Sequence, residues 1–388
     1  MAADQPLAGY RVADFSSVVA GPWCTRLLAD CGARVVKVET LGMGDVLRFA
    51  PPVAEGQSRT FAHFNCGKES VALDLKHDRG VEVARRLIHA SDIVVENFRP
   101  GVMRRLGLDY AAVSADHADL IYCSISGFGH TGPDAHAPAY APVVQALSGF
   151  DHVWQIAQDL DKPLNAAIMV ADFMAAAYAF GAVQSAVIGR ERFGVGAFLD
   201  VTLMESMLSM VAIQCQEAQS EAEIRSTVFR PVAVRDGYVM IPLVSQRNYV
   251  ELLAAMQHPL KDDPRMRSYE GVLSARAEIL QALVEWARDM DTEDVVSSMH
   301  AAGLPCARYR TPAELLEDPH LAARGSFSSL HDACGAFAVG NAPFRFGAEP
   351  LRPGANVAGL GEHTAAVLAE LRFSTSEIAE LRHDRIVA

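Results

Sequence analysis

Hydrophobic positions along the chain follow two rhythms. Arg11 to Phe15 and Arg34 to Glu39 are short, strand-length runs, and between them Trp23 to Cys31 carries the three-to-four-residue spacing of a helix. Pro22 stands in a first turn, where its missing N–H costs nothing, and Gly32 stands where a helix exit favours glycine. The opening segment therefore predicts a strand, a helix and a second strand parallel to the first, because the helix carries the chain back. The rhythm repeats. Val71 to Leu75, Ile93 to Asn97 and Leu120 to Ser124 read as strands, and Asp78 to Ala90 reads as a helix with Val81, Ala84, Leu87 and Ile88 on one face. Short helical patches at Val102 to Leu106 and Tyr110 to Ala115 fall between them. This alternation predicts an α/β fold, a doubly wound parallel layer over residues 1–130.

After Gly149 the pattern changes. A polar connector from Gln158 to Lys162 leads to an apolar run whose helix is expected to begin near Asp172 and close before Arg190. The run from Ala166 to Ile188 is long enough to cross a bilayer, but it is rich in alanine and holds a carboxylate, so a buried helix is expected and no membrane partner. Phe198 to Leu203 predicts a strand, and Met204 to Gln216 a helix. Polarity rises from Glu221 to Arg230, which marks a boundary. Beyond it, Val232 to Leu243 predicts a hairpin around Arg235-Asp236-Gly237, followed by helices at Tyr249 to Gln257, Arg276 to Asp289 and Thr292 to Ala302 and a strand at Leu304 to Arg310. These make a smaller α+β domain. The last segment is turn-rich from Ala336 to Phe346 and ends in two short helices, Thr364 to Leu371 and Ser376 to Leu381.

Composition narrows the function classes. With 50% hydrophobic and 21% charged residues over 388 positions, the chain has the make-up of a globular enzyme rather than of a disordered or fibrous protein. Its 47 acidic against 34 basic residues give a net charge of -13, which argues against nucleic acid as a partner. A local group of cations can still hold a small polyanion. The seven cysteines are scattered and form no C-x-x-C pair, so neither a disulfide framework nor a metal site is expected. Met1 to Tyr10 shows no signal-peptide pattern, and a cytoplasmic location is the expectation.

Few residues carry recognisable chemistry. The first strand–loop–helix turn invites a dinucleotide reading with Glu39 as the ribose acid, but the three glycines that fingerprint needs are missing, and Gly42 and Gly44 come after the second strand. The loop still feeds a helix N-terminus, where backbone N–H groups can meet an anion or a carbonyl. Asp172 is the lone carboxylate of the apolar run. By residue type it is either an N-cap or a carboxylate nucleophile held in a dry site, and the sequence alone leaves both open. Lys68, Arg99, Arg104 and Arg105 lie near strand ends; each taken singly reads as a solvated surface charge, and together they could form an anion site. His130 sits in a glycine-rich loop, either as an acid or base or as a solvated side chain.

Taken together these pieces resemble the class III CoA-transferases, the group of the formyl-CoA and carnitine CoA-transferases with the 2-methylacyl-CoA racemases as a side branch. The resemblance runs through Ala20-Gly21-Pro22, Val36-Lys37-Val38-Glu39, Gly44-Asp45, Asn65-Cys66-Gly67-Lys68, Glu96-Asn97-Phe98-Arg99-Pro100-Gly101, Gly127-Phe128-Gly129, Ala171-Asp172 and Gly361-Glu362-His363-Thr364. It implies a large CoA-binding α/β domain with a Rossmann-like doubly wound parallel sheet from residues 1–200 and 330–388, a connecting helical region at 201–228, a small α+β domain at 229–329 and an interlocked homodimer. It implies Asp172 as the nucleophile, and Val18, Val19, Lys68, Asn97, Phe98 and Arg105 as the positions that meet coenzyme A. Coenzyme A enters as acyl-CoA substrate, with no permanently bound cofactor. Tyr140 and Gln246 are the implied substrate contacts, with Pro242 to Gln246 where some members carry a lid.

The departures from the family pattern also inform. Thr40 stands where some members carry an arginine. Ala139-Tyr140-Ala141 stands where the racemases carry a His-Asp pair, so the base for α-proton removal is missing. CoA transfer between an acyl-CoA and a carboxylic acid is therefore the expected activity. Racemisation and non-catalytic binding of CoA esters are the alternatives.

Overall fold

In the computed structural model, which describes residues 5–54, 57–220 and 229–388, six strands form one parallel sheet. They are β1 (Arg11–Asp14), β2 (Arg34–Thr40), β3 (Glu69–Leu73), β4 (Ile93–Glu96), β5 (Ile121–Ser126) and β6 (Ala197–Thr202). Every neighbouring pair is parallel, and the order across the sheet is β3-β2-β1-β4-β5-β6. This is the strand order of the dinucleotide-binding sheets, with its topological switch point between β1 and β4. The α/β expectation is met in this sheet.

Alternation along the strands sends successive side chains to opposite faces. Val12, Val35, Ile93, Val95, Ile121, Cys123 and Ile125 pack on one face against helix α1 (Ala20–Asp30), through Cys24, Leu27 and Leu28. Ala13, Val36, Val38, Val71, Leu73, Val94 and Tyr122 fill the other, under helix α2 (Asp78–His89) and the C-terminal residues Val367, Leu368, Leu381 and Ile386. Each fully buried aliphatic side chain in these layers contributes about 1.5–3 kcal/mol. The chain end joins this unit through an antiparallel bridge between Val387 and Leu73.

Helix α3 (Val170–Phe193) presents a stripe of small residues, Ala171, Ala175, Ala176, Ala179, Val183 and Val187, into the same core as α1. Small side chains let the two helices approach closely, and this brings their N-termini together. The expectation of a buried helix is met along this stripe and not around the rest of the helix. Only a third of its most apolar window is buried, and Tyr178, Ile188 and Phe193 stand 47%, 55% and 75% exposed on the chain taken alone. The helix expected from Met204 to Gln216 is two pieces, Leu203–Leu208 and Ala212–Glu217.

The chain divides into two compact units, residues 1–219 with 319–388, and residues 220–318. Residues 221–228, most of the expected boundary, lie outside the described residues. The second unit has an antiparallel sheet of Val232–Val234, Gly237–Met240 and Ala307–Arg308. Helices including Gln246–Ala255, Arg276–Ala287 and Thr292–Ala301 close its own core around Leu252, Ile279 and Val295.

Candidate active site

Strand β1 ends at Asp14, and the next four residues are held at almost every peptide. The Asp14 carboxylate accepts the Ser16 N–H at 2.9 Å and the Ser16 hydroxyl, and it also accepts the Thr25 hydroxyl at 2.7 Å. Asn97, just past β4, brackets Ser17: its Oδ1 accepts the Ser17 N–H and its Nδ2 donates to the Ser17 carbonyl, both at 2.8 Å. Helix α1 then begins at Ala20. Gly21 lies so close to Ser16 that a Cβ there would stand 2.1 Å from the Ser16 Cβ, which explains the small residue ahead of Pro22. The Val19 and Ala20 N–H groups have no acceptor among the described residues.

A cavity of about 280 Å³ opens above this loop, at the switch point between β1 and β4. Val18, Val19 and Ala20 line one wall, and Asn97, Phe98 and Arg99 another. Asp172 reaches in from α3, and Tyr140 closes one side. Asp172 is the sole carboxylate among the lining residues. Its partly buried side chain has no hydrogen-bond or ion-pair partner among the described residues, and burial pushes its pKa up to about 6. The N-cap reading is corrected: Met169 occupies that position, and Asp172 is the third residue of the helix. There the unpaired N–H groups of the first turn favour negative charge. The N-termini of α1 and α3 thus border one cavity, an arrangement suited to a charge that develops on an oxygen between them.

An adjoining cavity of about 420 Å³ shares Arg99 and Pro100 with the first. Arg104, His130, His136 and the buried Glu96 line it. Burial lifts the Glu96 carboxyl to about 7, while Ser124 and the Phe98 N–H hold it down in part. The His130 Nε2 lies 2.7 Å from the Ser124 hydroxyl.

The structure thus brings Val18, Val19, Asn97, Phe98, Tyr140 and Asp172 to one cavity. Lys68 is placed elsewhere. Its ammonium is buried and surrounded by Asp14 Oδ2 at 3.1 Å, the Pro22 carbonyl at 3.0 Å, the Thr25 hydroxyl at 2.7 Å and Asn65 Oδ1 at 2.9 Å. Four acceptors exhaust an ammonium's three donors, so Lys68 braces the loop from beneath. Burial lowers its pKa to about 8. Arg105 is exposed near Gly101, outside both linings, whereas Arg99 lines both and Arg104 the adjoining one. Gln246 opens a helix of the second unit, where its Nε2 donates to the Met266 carbonyl at 2.8 Å. Sequence reasoning missed Glu96 as a lining carboxylate and the buried Lys37 and Asp45 beneath the loop, since alternating Val-Lys-Val-Glu reads as a half-solvated strand.

A sequence profile of CoA-transferase family III matches residues 7–364. The chain belongs to CoA-transferase family III. Among family relatives, the succinate–glutarate CoA-transferase of Agrobacterium fabrum is 31% identical over 94% of this chain and 96% of its own. The acetyl-CoA:oxalate CoA-transferase of Acetobacter aceti is 32% identical over 82% and 84%. The fold is that of solved family structures. A CAIB/BAIF family protein from Brucella suis superposes with a TM-score of 0.80 at 31% identity, covering 95% of this chain and 99% of that one. A Mycobacterium tuberculosis protein superposes at 0.84 with 26% identity over 94% and 99%. The chain is thus an enzyme of CoA transfer.

Proposed function

We propose that this CoA-transferase moves CoA between two carboxylic acids with Asp172 as the covalent carrier. The observation that carries the reading is the unpaired, partly buried Asp172 carboxylate in a cavity bordered by two helix N-termini. A carboxylate with a pKa near 6 is more basic, and so a better nucleophile, than a solvated one, yet it is mostly ionised at neutral pH. One Asp172 oxygen attacks the acyl carbon of the donor thioester. The carbonyl oxygen takes up the charge beside the Val19 and Ala20 N–H groups, and the C–S bond breaks to release CoA thiolate and leave a mixed anhydride. The thiolate then attacks the Asp172 carbonyl carbon, giving an aspartyl-CoA thioester and the free donor acid. The acceptor carboxylate attacks that thioester in turn, and the returning thiolate takes the acceptor's acyl group and frees Asp172.

Val18, Val19 and Phe98 form an apolar wall for the acyl and pantetheine part. Arg99 and Arg104 lead along the adjoining cavity towards the exposed Arg105, a path of cations for the CoA phosphates. Tyr140 stands where it can meet the substrate carboxylate. Transfer is favoured over racemisation because no imidazole is among the residues lining the Asp172 cavity. A homodimer is part of the proposal, supported by the apolar face that α3 leaves exposed.

The test is mass spectrometry of the protein after incubation with an acyl-CoA, with hydroxylamine to trap the anhydride or thioester. An adduct on Asp172 that is absent from Asp172→Ala supports the carrier. Turnover retained by Asp172→Ala would remove it, and binding without any adduct would leave a CoA-ester-binding protein.

A further inference from the structure

Val18 sits in the left-handed region, with φ of 68°. A β-branched side chain is sterically disfavoured there, so something must hold it. The Val18 N–H donates to both oxygens of Asp45, at 3.3 and 3.2 Å. Asp45 is 3% exposed and is itself fixed: it accepts the Leu47 N–H at 3.0 Å, its own N–H donates to Glu39 Oε2 at 3.0 Å, and Lys37 Nζ lies 3.0 Å from its Oδ2. Lys37 also donates to the Ser16 carbonyl at 2.7 Å. One buried pair therefore grips the loop at two successive points, the Ser16 carbonyl and the Val18 N–H. Asn97 holds the residue between them.

With Ser16, Ser17 and Val18 held in this way, the first N–H groups left without an acceptor are those of Val19 and Ala20 at the cavity wall. Their direction depends on the Val18 backbone, because a residue that leaves the left-handed region swings the peptide that follows it. We infer that Asp45, backed by Lys37, is a positioning residue for CoA transfer, holding Val18 left-handed so that the Val19 and Ala20 N–H groups face the acyl carbonyl. The inference rests on the Asp172 cavity being the place of reaction.

Three proteins test it: Asp45→Ala, Asp45→Ala with Val18→Gly, and Asp172→Ala measured in parallel. Loss of one aligned oxyanion donor costs about a hundredfold in kcat, so Asp45→Ala should lower kcat by about ten- to a hundredfold with a much smaller change in donor KM. Glycine adopts positive φ freely, so the added Val18→Gly should recover about fivefold or more of the lost kcat, which a general loss of stability would not return. A folded Asp45→Ala with wild-type kcat, or a double variant no faster than Asp45→Ala, overturns the inference. Should Asp45→Ala fail to fold, hydrogen exchange of the intact enzyme decides. The Val18 amide should be protected relative to those of Val19 and Ala20, and equal exchange overturns the inference. Turnover by Asp172→Ala would instead remove the carrier reading, which separates the two failures.

Discussion

Asp172→Asn should abolish turnover and at the same time stabilise the folded protein at neutral and alkaline pH. The Asp172 carboxylate is held partly buried without a partner among the described residues, and burial lifts its pKa from 3.8 to about 6. A rise of that size corresponds to about 3 kcal/mol acting against the charged form. Solvent reaches part of the side chain, so a gain of about 1–2 kcal/mol is the expected result for the neutral amide. The folded state binds the proton more tightly than the unfolded state, which fixes the pH dependence. The penalty is fully present above about pH 7, falls to about half at pH 5, and disappears below the unfolded pKa of about 3.9, where both states are protonated. Urea unfolding of the two proteins at one concentration, at pH 8 and at pH 5, measures the difference and its narrowing. An Asp172→Asn protein less stable than wild type at pH 8, or a gap that stays the same at pH 5, would refute the account of a carboxylate kept reactive at the expense of stability.

The same pKa predicts that the rate of aspartyl adduct formation falls about tenfold between pH 7 and pH 5, as the ionised fraction drops from about nine-tenths to one-tenth; a flat profile in rapid-quench measurements counts against Asp172 as nucleophile. Lys68→Met should cost about 3–5 kcal/mol by leaving the buried Asp14 carboxylate without its ion-pair partner, with the donor KM of the folded enzyme nearly unchanged. A raised KM without a loss in urea stability would restore Lys68 as a phosphate contact. Sedimentation should give a particle of twice the chain mass, and Ile188→Glu with Phe193→Glu should halve it or make the protein insoluble; a monomeric wild type at tens of micromolar would leave the exposed face of α3 unexplained.

Hydrophobic rhythm alone determined most of the elements. Strand-length runs alternating with a 3.6-residue pattern specify a parallel α/β layer because each helix must bury one stripe on the sheet; β1 and β2 lie within a residue of where the pattern put them, and α1 starts three residues earlier, at Ala20. The local motifs also carried the resemblance to the family, and with it the weight on Asp172. Tertiary structure decided what each charge does. Lys37, Asp45 and Lys68 look like surface residues in the sequence, because nothing local records that the end of β1, the middle of β2 and the residue ahead of β3 meet under one loop. Once they do, Lys68 is consumed by Asp14, and Lys37 and Asp45 hold Val18. Asp172 changed in the same way. Its sequence position suited a helix cap, but the helix begins at Val170 and carries Asp172 in its first turn, lining one cavity with the start of α1. Burial, partner and distance are properties of residues far apart in the chain, and those properties separate an unpaired cavity carboxylate from a cap and a buried brace from an exposed cation.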